Sequence, residues 1–480
     1  HRPDSVPYIM RDYDTAFAIG TEVRDHAMSY VARRLDRETA AANDVILFNT
    51  LSWQRDALVE AEHRPGANAV RIGGGALLPV QHYAGRTWFR VPDLPALGWT
   101  VAAFEDMPVE GAGETAGFIK TGHSQGTIET PLLRVEIGPH GSLARVYDKT
   151  HHREVLSAPG NEFQVFEDDP GPKFGAWDIA YHVEEYQYPV RQTDPWTLAA
   201  NGPLFAVFTS RRHVLDSEIE QEMWLFAHDA RIEFRTHVTW RDPQKLLKVA
   251  FPLQVRARSA TYDLPFGHIE RATHRNTTWE QAKFEVCGHK WADLSEGDYG
   301  AALLNDCKYG YDARENVLRL SLLRSPVRPD AESDLGTHTF SYALLPHAGP
   351  WRQAQVDRRA YEFNSPVSVV ALARGEAHPQ DGIPARNALL EAESRSLIVE
   401  VLKQAERGDE LVLRSFDSHG CHAAVPLSFS SDLTAVAETN LLEKEPQRIE
   451  LDSRCAFTAR YTPYEIKTHR LNLVRLGVRS

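Results

Sequence analysis

One segment of the chain, Thr273–His347, combines short apolar runs with a high density of aromatic and polar side chains. It reads THRNTTWEQAKFEVCGHKWADLSEGDYGAALLNDCKYGYDARENVLRLSLLRSPVRPDAESDLGTHTFSYALLPH. Two apolar runs inside it, Ala301–Leu304 and Leu318–Leu323, are short and are separated by residues that favour turns. Runs of this length with such boundaries are typical of β-strands. The segment therefore predicts a β-sheet protein.

The same segment holds Trp, Tyr, His, Arg, Asp and Asn side chains together, which ordinary strands and loops do not need. A sugar presents flat C–H faces, which pack on aromatic rings, and many hydroxyls, which need hydrogen-bonding side chains. We therefore interpret the segment as part of a sugar-binding surface.

Length and charge limit the remaining classes. The chain has 480 residues, with 42% hydrophobic and 25% charged residues, so a soluble globular protein of about two to four domains is expected. Its formal net charge of −13 argues against nucleic acid as a partner. No apolar run approaches the roughly 18 residues that a membrane-spanning helix needs.

The four cysteines, Cys287, Cys307, Cys421 and Cys455, form no CxxC pair. A zinc site made of cysteines is therefore not expected. We expect reduced, buried thiols in a cytoplasmic protein.

The start of the chain differs from the rest. An apolar residue recurs at every fourth position from Ile19 to Leu35, which predicts one helix over Arg11–Asp36. We interpret this helix as the end of a helical bundle, at 1–42. From Val45–Asn49 onward, short segments broken by Gly and Pro predict strands, including Leu132–Ile137 and Arg231–Val238.

No long helical pattern lies between these strands, so a sandwich architecture is favoured over parallel βαβ units. We predict a small β-sandwich at 43–117, ending in the glycine-rich stretch Glu110–Gly113. A large two-sheet supersandwich is predicted at 118–374. A C-terminal β-sandwich at 375–480 follows the polar linker His378–Gly382.

Five motifs carry a resemblance to a known family. They are Asp44–Trp53 (DVILFNTLSW), Glu129–Leu156 (ETPLLRVEIGPHGSLARVYDKTHHREVL), Phe174–Ile179 (FGAWDI), Tyr361–Pro366 (YEFNSP) and Pro463–Leu471 (PYEIKTHRL). In order and spacing they resemble the part of glycoside hydrolase family 38 α-mannosidases that follows the catalytic barrel. The branch is the one shared by bacteria and the fungal vacuole. The resemblance implies a mainly β fold whose supersandwich is galactose mutarotase-like.

The resemblance also implies a retaining α-mannosidase that acts on mannose-containing oligosaccharides. In the family, a β/α barrel carries an Asp nucleophile, an acid/base carboxylate and a zinc ion, all upstream of the matching segment. No catalytic residue and no metal ligand is therefore assigned to this chain. The expected partner is the missing N-terminal barrel, the chain alone is expected to be inactive, and a homo-oligomer stays open.

Trp177 and Asp178 are the first candidate substrate-binding residues. Other branches of the family have Gly-Ala-Tyr where this chain has Gly175-Ala176-Trp177, on a loop that reaches the barrel. The resemblance implies that Trp177 borders the bound mannose and that Asp178 accepts hydrogen bonds from its hydroxyls. The alternative is a Trp that packs between sheets and an Asp that caps a turn. The preceding Asp168–Pro172 segment is predicted to be an exposed turn.

Two further groups are candidates for substrate binding. Strand alternation could place a lysine and a tyrosine on a common surface, and an Arg- and Asp-rich loop faces the barrel in other branches. The candidates are Lys308, Tyr309, Tyr311, Arg324, Asp330, Asp334 and His338. The alternative is an interdomain salt-bridge network. The pair Glu184-Glu185 is interpreted as a solvated surface.

A second function is kept as the alternative. A stand-alone carbohydrate-binding or mutarotase-like β protein would use His and Glu side chains on a concave sheet to move protons. This alternative requires a first helix that needs no other bundle members. It also requires that no barrel precede the chain.

Overall fold

The computed structural model describes residues 3–35, 44–107, 120–121, 126–171, 175–372 and 382–474. Several predictions fall outside these ranges. They are the helix end at Asp36, Glu110–Gly113, most of the linker His378–Gly382, Phe174, and the domain limits near 43, 117 and 374. The four-domain division stays a prediction.

Helices are few in the described part of the chain. The α-helices are α1 (Val6–Arg33), α2 (Thr278–Ala282), α3 (Trp351–Ala354) and α4 (Val356–Asn364). The predicted first helix is confirmed and begins five residues earlier than expected. None of the helices described is long and apolar enough to cross a membrane.

Apart from short 3₁₀ helices at Pro3–Ser5, Pro139–Gly141 and Val183–Glu185, the rest of the described secondary structure is β. In chain order, the strands β1 to β36 are Val45–Asn49, Arg55–Glu62, Ala69–Ile72, Leu77–Tyr83, Arg86–Leu94, Gly98–Glu105, Lys120–Thr121, Thr127–Glu129, Leu133–Ile137, Leu143–Asp148, Arg153–Glu154, Glu162–Glu167, Gln187–Tyr188, Arg191–Asn201, Phe205–Val214, Ser217–Phe226, Ile232–Trp240, Lys245–Pro252, Ser259–Leu264, Gly267–Ala272, Val286–Cys287, Trp291–Ser295, Tyr299–Asn305, Gly310–Arg314, Val317–Arg324, Gly336–Ala348, Ser368–Ala371, Arg386–Ala388, Leu390–Ala392, Leu397–Gln404, Leu411–Asp417, Ala423–Phe429, Leu433–Thr439, Gln447–Ile449, Ala456–Tyr461 and Ile466–Leu473. The predicted mainly β class is confirmed.

The chain divides into two compact units. The first unit comprises His1–Ala16 and Thr115–Asn364, and the second comprises Phe17–Glu114 and Ser365–Ser480. The first unit contains a nine-stranded sheet (β14-β15-β16-β17-β26-β23-β22-β19-β20), a six-stranded sheet (β13-β12-β18-β25-β24-β21) and a five-stranded sheet (β11-β10-β9-β8-β7). Every pairing between these described strands is antiparallel, which agrees with the sandwich prediction and not with βαβ units.

The core of the first unit follows from period-two alternation. In β25, Leu318, Leu320 and Leu322 point into one large apolar cluster that also contains residues of the nine-stranded sheet. Arg319 and Ser321 alternate with these leucines and therefore lie on the opposite face of the six-stranded sheet. The sheet thus has one face in the large apolar core and a second face that carries polar side chains on β25.

Two of the apolar clusters in the described part of the second unit are enclosed by its sheets. An eight-stranded sheet (β2-β5-β4-β3-β6-β1-β27, with β28 on β6) buries its own apolar cluster. A three-stranded sheet (β29-β32-β35) and a five-stranded sheet (β30-β31-β36-β33-β34) enclose another around Leu413, Leu427 and Phe457.

The apolar stripe of α1 is only partly without a partner. Leu35, just after the helix, is buried with Ile46 and Trp99, and Val31 packs against the same cluster. A helix interpreted as the end of a bundle would be expected to lack a partner in this chain, and at its C-terminal end that expectation is wrong. Ile19 and Val23, nearer the N-terminus, are exposed.

The four cysteines are free thiols, but they are not buried as expected. Cys287, Cys307 and Cys421 are exposed, and Cys455 is partly exposed. They lie in or beside turns and short edge strands, where no core packing is required of them.

His469 is a buried polar group in the C-terminal sandwich. It lies on β36 against the ring of Phe457, with ring centroids 5.2 Å apart, and neither ring nitrogen has a hydrogen-bond partner. Burial disfavours the charged imidazolium and lowers the pKa of His469 to about 4.

We expect His469 to make the C-terminal sandwich sensitive to acid. Its folded pKa lies below that of the unfolded chain, so the unfolded state takes up a proton first and stability falls as pH drops from about 6.5 towards 4. The full effect is on the order of 3 kcal/mol. Melting temperatures of wild type and His469→Leu, measured between pH 7.5 and 4, should diverge, with the wild type losing more. Parallel pH curves, or an equal effect from His237→Leu on an exposed strand position, would contradict this.

Candidate functional site

Trp177 lies at the tip of a turn and not between sheets. Residues 175–177 form a turn, and the Trp177 side chain is 91% exposed. Asp178 is also exposed, and its carboxylate accepts a hydrogen bond from the backbone N–H of Ile179 at 2.9 Å. The structure thus presents a large aromatic ring and a carboxylate side by side at one surface.

The backbone of this turn is held by Arg324, at the end of β25. The Arg324 guanidinium donates hydrogen bonds to the carbonyl oxygens of Gly175, at 2.7 Å, and of Asp178. It also donates to the carboxylate of Asp168, and the Ala176 N–H donates to the Arg328 carbonyl at 2.7 Å. Arg324 therefore positions the turn on both sides of Trp177.

Asp168 is the counter-charge of this arrangement. Its side chain is fully buried, and besides the Arg324 guanidinium it accepts the Ala180 N–H at 3.0 Å. The prediction that Asp168 begins an exposed turn was wrong for this residue, because its carboxylate is needed inside to balance Arg324. We call Arg324, Asp168 and the backbone of 175–178 the turn clamp.

Three more of the candidate residues lie near Arg324. His338 hydrogen-bonds the Asp334 carbonyl at 2.8 Å, and the Lys308 ammonium lies 4.4 Å from the Phe340 ring centroid. Burial raises the pKa of the Asp334 carboxyl, although electrostatic attraction from His338, Lys308 and Arg324 acts in the opposite direction. Burial likewise lowers the pKa of Lys308. The structure therefore brings four predicted site residues into one electrostatic neighbourhood.

The remaining candidates lie elsewhere. Tyr309 is exposed and its ring contacts His289, with centroids 4.8 Å apart. Asp330 is half-buried and accepts the Glu332 N–H at 3.0 Å within a turn.

Tyr311 is part of the core. Its side chain is fully buried, and its hydroxyl donates to the His289 carbonyl at 3.1 Å. A residue in this position cannot touch a sugar, so Tyr311 is withdrawn as a candidate. The physical reason is that Tyr309 precedes β24, where strand alternation does not apply, and faces solvent, while Tyr311 lies within β24 on its inward face.

Sequence reasoning missed a charge network on the polar face of the six-stranded sheet. The buried Lys248 ammonium donates to Asp312, at 2.5 Å, and to Glu285. Arg319 donates to Asp312, at 2.8 Å, and to Glu184. Glu184 and Glu185 are exposed, as predicted for a solvated surface, but the Glu184 carboxylate also belongs to this network.

The network fixes the protonation of its members. Burial raises the pKa of Glu285, an effect that the Lys248 charge reduces. Burial also opposes ionisation of Glu184, but Arg319 and Arg275 outweigh it and hold its pKa below the usual range. Asp312 and Glu285 together keep the pKa of Lys248 raised despite its burial. The signal that could have found this network is the alternation of Arg319 and Ser321 with leucines in β25.

No metal centre can be assigned within the part of the chain that the structure describes. These residues contain no group of three or more His, Cys, Asp or Glu side chains that could hold a metal ion. The residues present do not fit the zinc ion that the resemblance implies, so no step is derived through zinc.

A β-sandwich protein with an exposed, clamped tryptophan beside carboxylates fits the class of carbohydrate-active proteins. Two family models match the chain: the glycosyl hydrolases family 38 C-terminal domain at residues 128–332, and the family 38 C-terminal beta sandwich domain at residues 396–469. The chain belongs to glycosyl hydrolase family 38 and matches the C-terminal part of its members.

Individual relatives agree with this assignment. Alpha-mannosidase 2C1 of Mus musculus is 32% identical over 460 residues, covering 93% of this chain and 42% of the mouse protein. An alpha-mannosidase of Saccharomyces cerevisiae is 40% identical over 225 residues, covering 45% of this chain and 20% of the yeast protein. The chain thus spans less than half the length of either relative.

A solved structure supports the fold. The crystal structure of an alpha-mannosidase from Enterococcus faecalis V583 matches with a TM-score of 0.77 at 16% sequence identity, covering 98% of this chain and 61% of that chain. At this identity the likeness concerns the fold alone.

We expect Arg324→Met to loosen the turn clamp. The substitution leaves the Asp168 carboxylate buried without its cation, which costs roughly 3 kcal/mol of unfolding free energy. It should also speed hydrogen exchange at the amides of 176–180. Chemical denaturation and hydrogen-exchange mass spectrometry would measure both effects. Arg211→Met, which removes exposed ion pairs to Glu218 and Glu220, is the matched control and should change little. Unchanged exchange at 176–180 would rule out the clamp.

Proposed function

We propose that this chain is the β portion of a retaining α-mannosidase and that it completes the sugar-binding cleft of the whole enzyme. Membership of family 38 and relatives that are named alpha-mannosidases support this proposal. The proposed substrate is a mannose-containing oligosaccharide, and the proposed location is the cytoplasm. The proposed partner is an N-terminal catalytic barrel carried by the rest of the protein.

The observation that carries the proposal is the clamped, exposed ring of Trp177. Burying an aromatic side chain normally lowers the free energy of a protein. Keeping the Trp177 ring exposed on a restrained backbone therefore costs stability. The backbone contacts of Arg324 at Gly175 and Asp178 restrain the turn before any ligand arrives. Because the turn is restrained before binding, less conformational entropy is lost when a ligand binds. A sugar stacked on Trp177 would bury the ring and offset this loss of stability.

Retaining hydrolysis needs two carboxylates about 5 Å apart, one of them a nucleophile that forms a glycosyl-enzyme intermediate. We assign both carboxylates, and the zinc ion that holds sugar hydroxyls, to the barrel. This chain would bind and orient the sugar: Trp177 stacks on one face and excludes water. Asp178 accepts hydrogen bonds from hydroxyls, and Lys308 and His338 offer polar contacts beside it. Tyr309, Asp330 and Asp334 remain proposed contacts at the rim.

We expect the chain by itself not to hydrolyse an aryl α-mannoside, with or without added zinc. The reason is that the proposed nucleophile and metal ligands belong to the barrel. Release of 4-nitrophenol from 4-nitrophenyl α-mannoside should be measured for the purified chain and for the full-length enzyme side by side. Zinc-dependent turnover by the chain alone, free of full-length protein, would refute the division of roles proposed here.

We expect Trp177→Ala in the full-length enzyme to lower kcat/KM for an aryl α-mannoside at least about tenfold. The loss of an aromatic wall is worth on the order of 1 kcal/mol or more. The melting temperature should hold, because the ring is exposed and packs in no core cluster. Trp279→Ala, at another exposed tryptophan, is the matched control and should leave kcat/KM unchanged. Normal kinetics with a lowered melting temperature would mean that Trp177 is structural.

A further inference from the structure

We propose that a second surface of this chain binds a further hexose unit of the mannose-containing oligosaccharide, an inference that rests on the proposed function. The surface is a pocket lined by Tyr181–Glu185 on one side and by Arg275, Gln281 and Phe284 on the other. It shares no lining residue with the turn that carries Trp177. We call it the Tyr181 pocket.

The Tyr181 pocket has an aromatic platform at its edge. Tyr181 is 75% exposed, yet its ring is held by Phe284 in an edge-to-face contact with centroids 6.2 Å apart and an interplanar angle of 84°. The ring therefore offers a free face in a fixed orientation. Aromatic faces of this kind pack against the C–H face of a pyranose, as stacking does for other flat ligands.

The polar wall of the pocket is built on the buried charge network. Arg319, which fixes the Glu184 carboxylate, is itself held by Asp312 at 2.8 Å. The Arg275 guanidinium lies 3.5 Å from the same carboxylate, with a quarter of its side chain exposed. Arg319 and Arg275 both contact the first oxygen of the Glu184 carboxylate, and the second oxygen lies 3.7 Å from the Arg314 guanidinium. This second oxygen can therefore accept a sugar hydroxyl with little reorganisation. Arg275 keeps N–H donors for another hydroxyl.

The charges of the pocket select a neutral ligand. Glu184 and Glu185 are balanced within the pocket by Arg275, with Arg314 3.7 Å from Glu184. An anion would meet two carboxylates, and a cation would meet at least two guanidinium groups. A hydroxyl-rich neutral ring can use donors and acceptors of both signs. Gln281 and His182 add an amide and an imidazole group to the lining of the pocket.

A purely structural ion-pair network would explain Glu184 and Arg275 but not the exposed tyrosine. The network already gives Lys248, Asp312 and Glu285 their partners inside the fold. Tyr181 adds nothing to that pairing, and most of its surface remains in solvent. The combination of a held polar pair with a free aromatic face is what points to a sugar.

The test compares Tyr181→Ala and Arg275→Gln with wild type in the full-length protein. Tyr186→Ala is the matched control, because Tyr186 is 59% exposed in the same segment and does not line the pocket. Calorimetry with a thio-linked α-mannotriose, which resists hydrolysis, measures binding directly. Kinetics with 4-nitrophenyl α-mannoside measure turnover of a single mannose unit. Melting temperatures establish that each variant is folded.

We expect Tyr181→Ala and Arg275→Gln each to weaken binding of the thio-linked α-mannotriose about five- to tenfold. The aryl α-mannoside kinetics should stay at wild-type values, and Tyr186→Ala should change neither readout. Unchanged trisaccharide binding in both folded variants, or no measurable trisaccharide binding by wild type, would overturn the inference. If the wild type still turns over the aryl mannoside in that case, the proposed function stands. Loss of trisaccharide affinity without any aryl mannoside turnover by wild type would keep the pocket and overturn the proposed function.

Discussion

The buried ammonium of Lys248 is the constraint on which the polar face of the six-stranded sheet depends. A lysine in this position would lose its charge unless carboxylates compensated its desolvation. Asp312 comes from two strands away in the same sheet, and Glu285 directly precedes β21, the edge strand of that sheet. Removing either acid would leave the buried Lys248 with a single carboxylate, so these strands are tied together by electrostatics as well as by hydrogen bonds.

Strand β25 links this network to the turn that carries Trp177. Its leucines enter the apolar core, while Arg319 joins the network and Arg324 ends the strand at the turn clamp. Both arginines act at several acceptors at once, which a lysine could not do with the same geometry. Both candidate sugar surfaces are thus supported by one rigid strand. A site carried on a strand end is held more closely than one carried on a free loop.

Much of this architecture could be read from local patterns. Strands such as Val45–Asn49 and Leu133–Ile137 follow from β-branched runs with turn residues at their ends, and the helix near the start follows from its apolar spacing. Which polar residues meet across the sheet could not be predicted, because it depends on register between distant strands. Lys248 pairs with Ser321 beside a register shift at Leu247, and nothing local in either strand specifies that shift.

The same limit explains the site residues that sequence reasoning misplaced. Tyr309 and Tyr311 look equivalent in the sequence. Tyr309 precedes β24, whereas Tyr311 lies inside it, because the chain passes from turn to strand between them. Only the residue inside the strand faces the core. Asp168 and Glu184 both look like loop acids. Asp168 is buried as the counter-charge of Arg324, while Glu184 stays exposed and pairs with the buried Arg319. Removing one partner of a buried ion pair leaves an uncompensated charge, so the buried carboxylate of Asp168 depends on Arg324. Trp177 and Tyr181 take no part in these ion pairs and remain exposed, and we propose that their aromatic faces bind sugar.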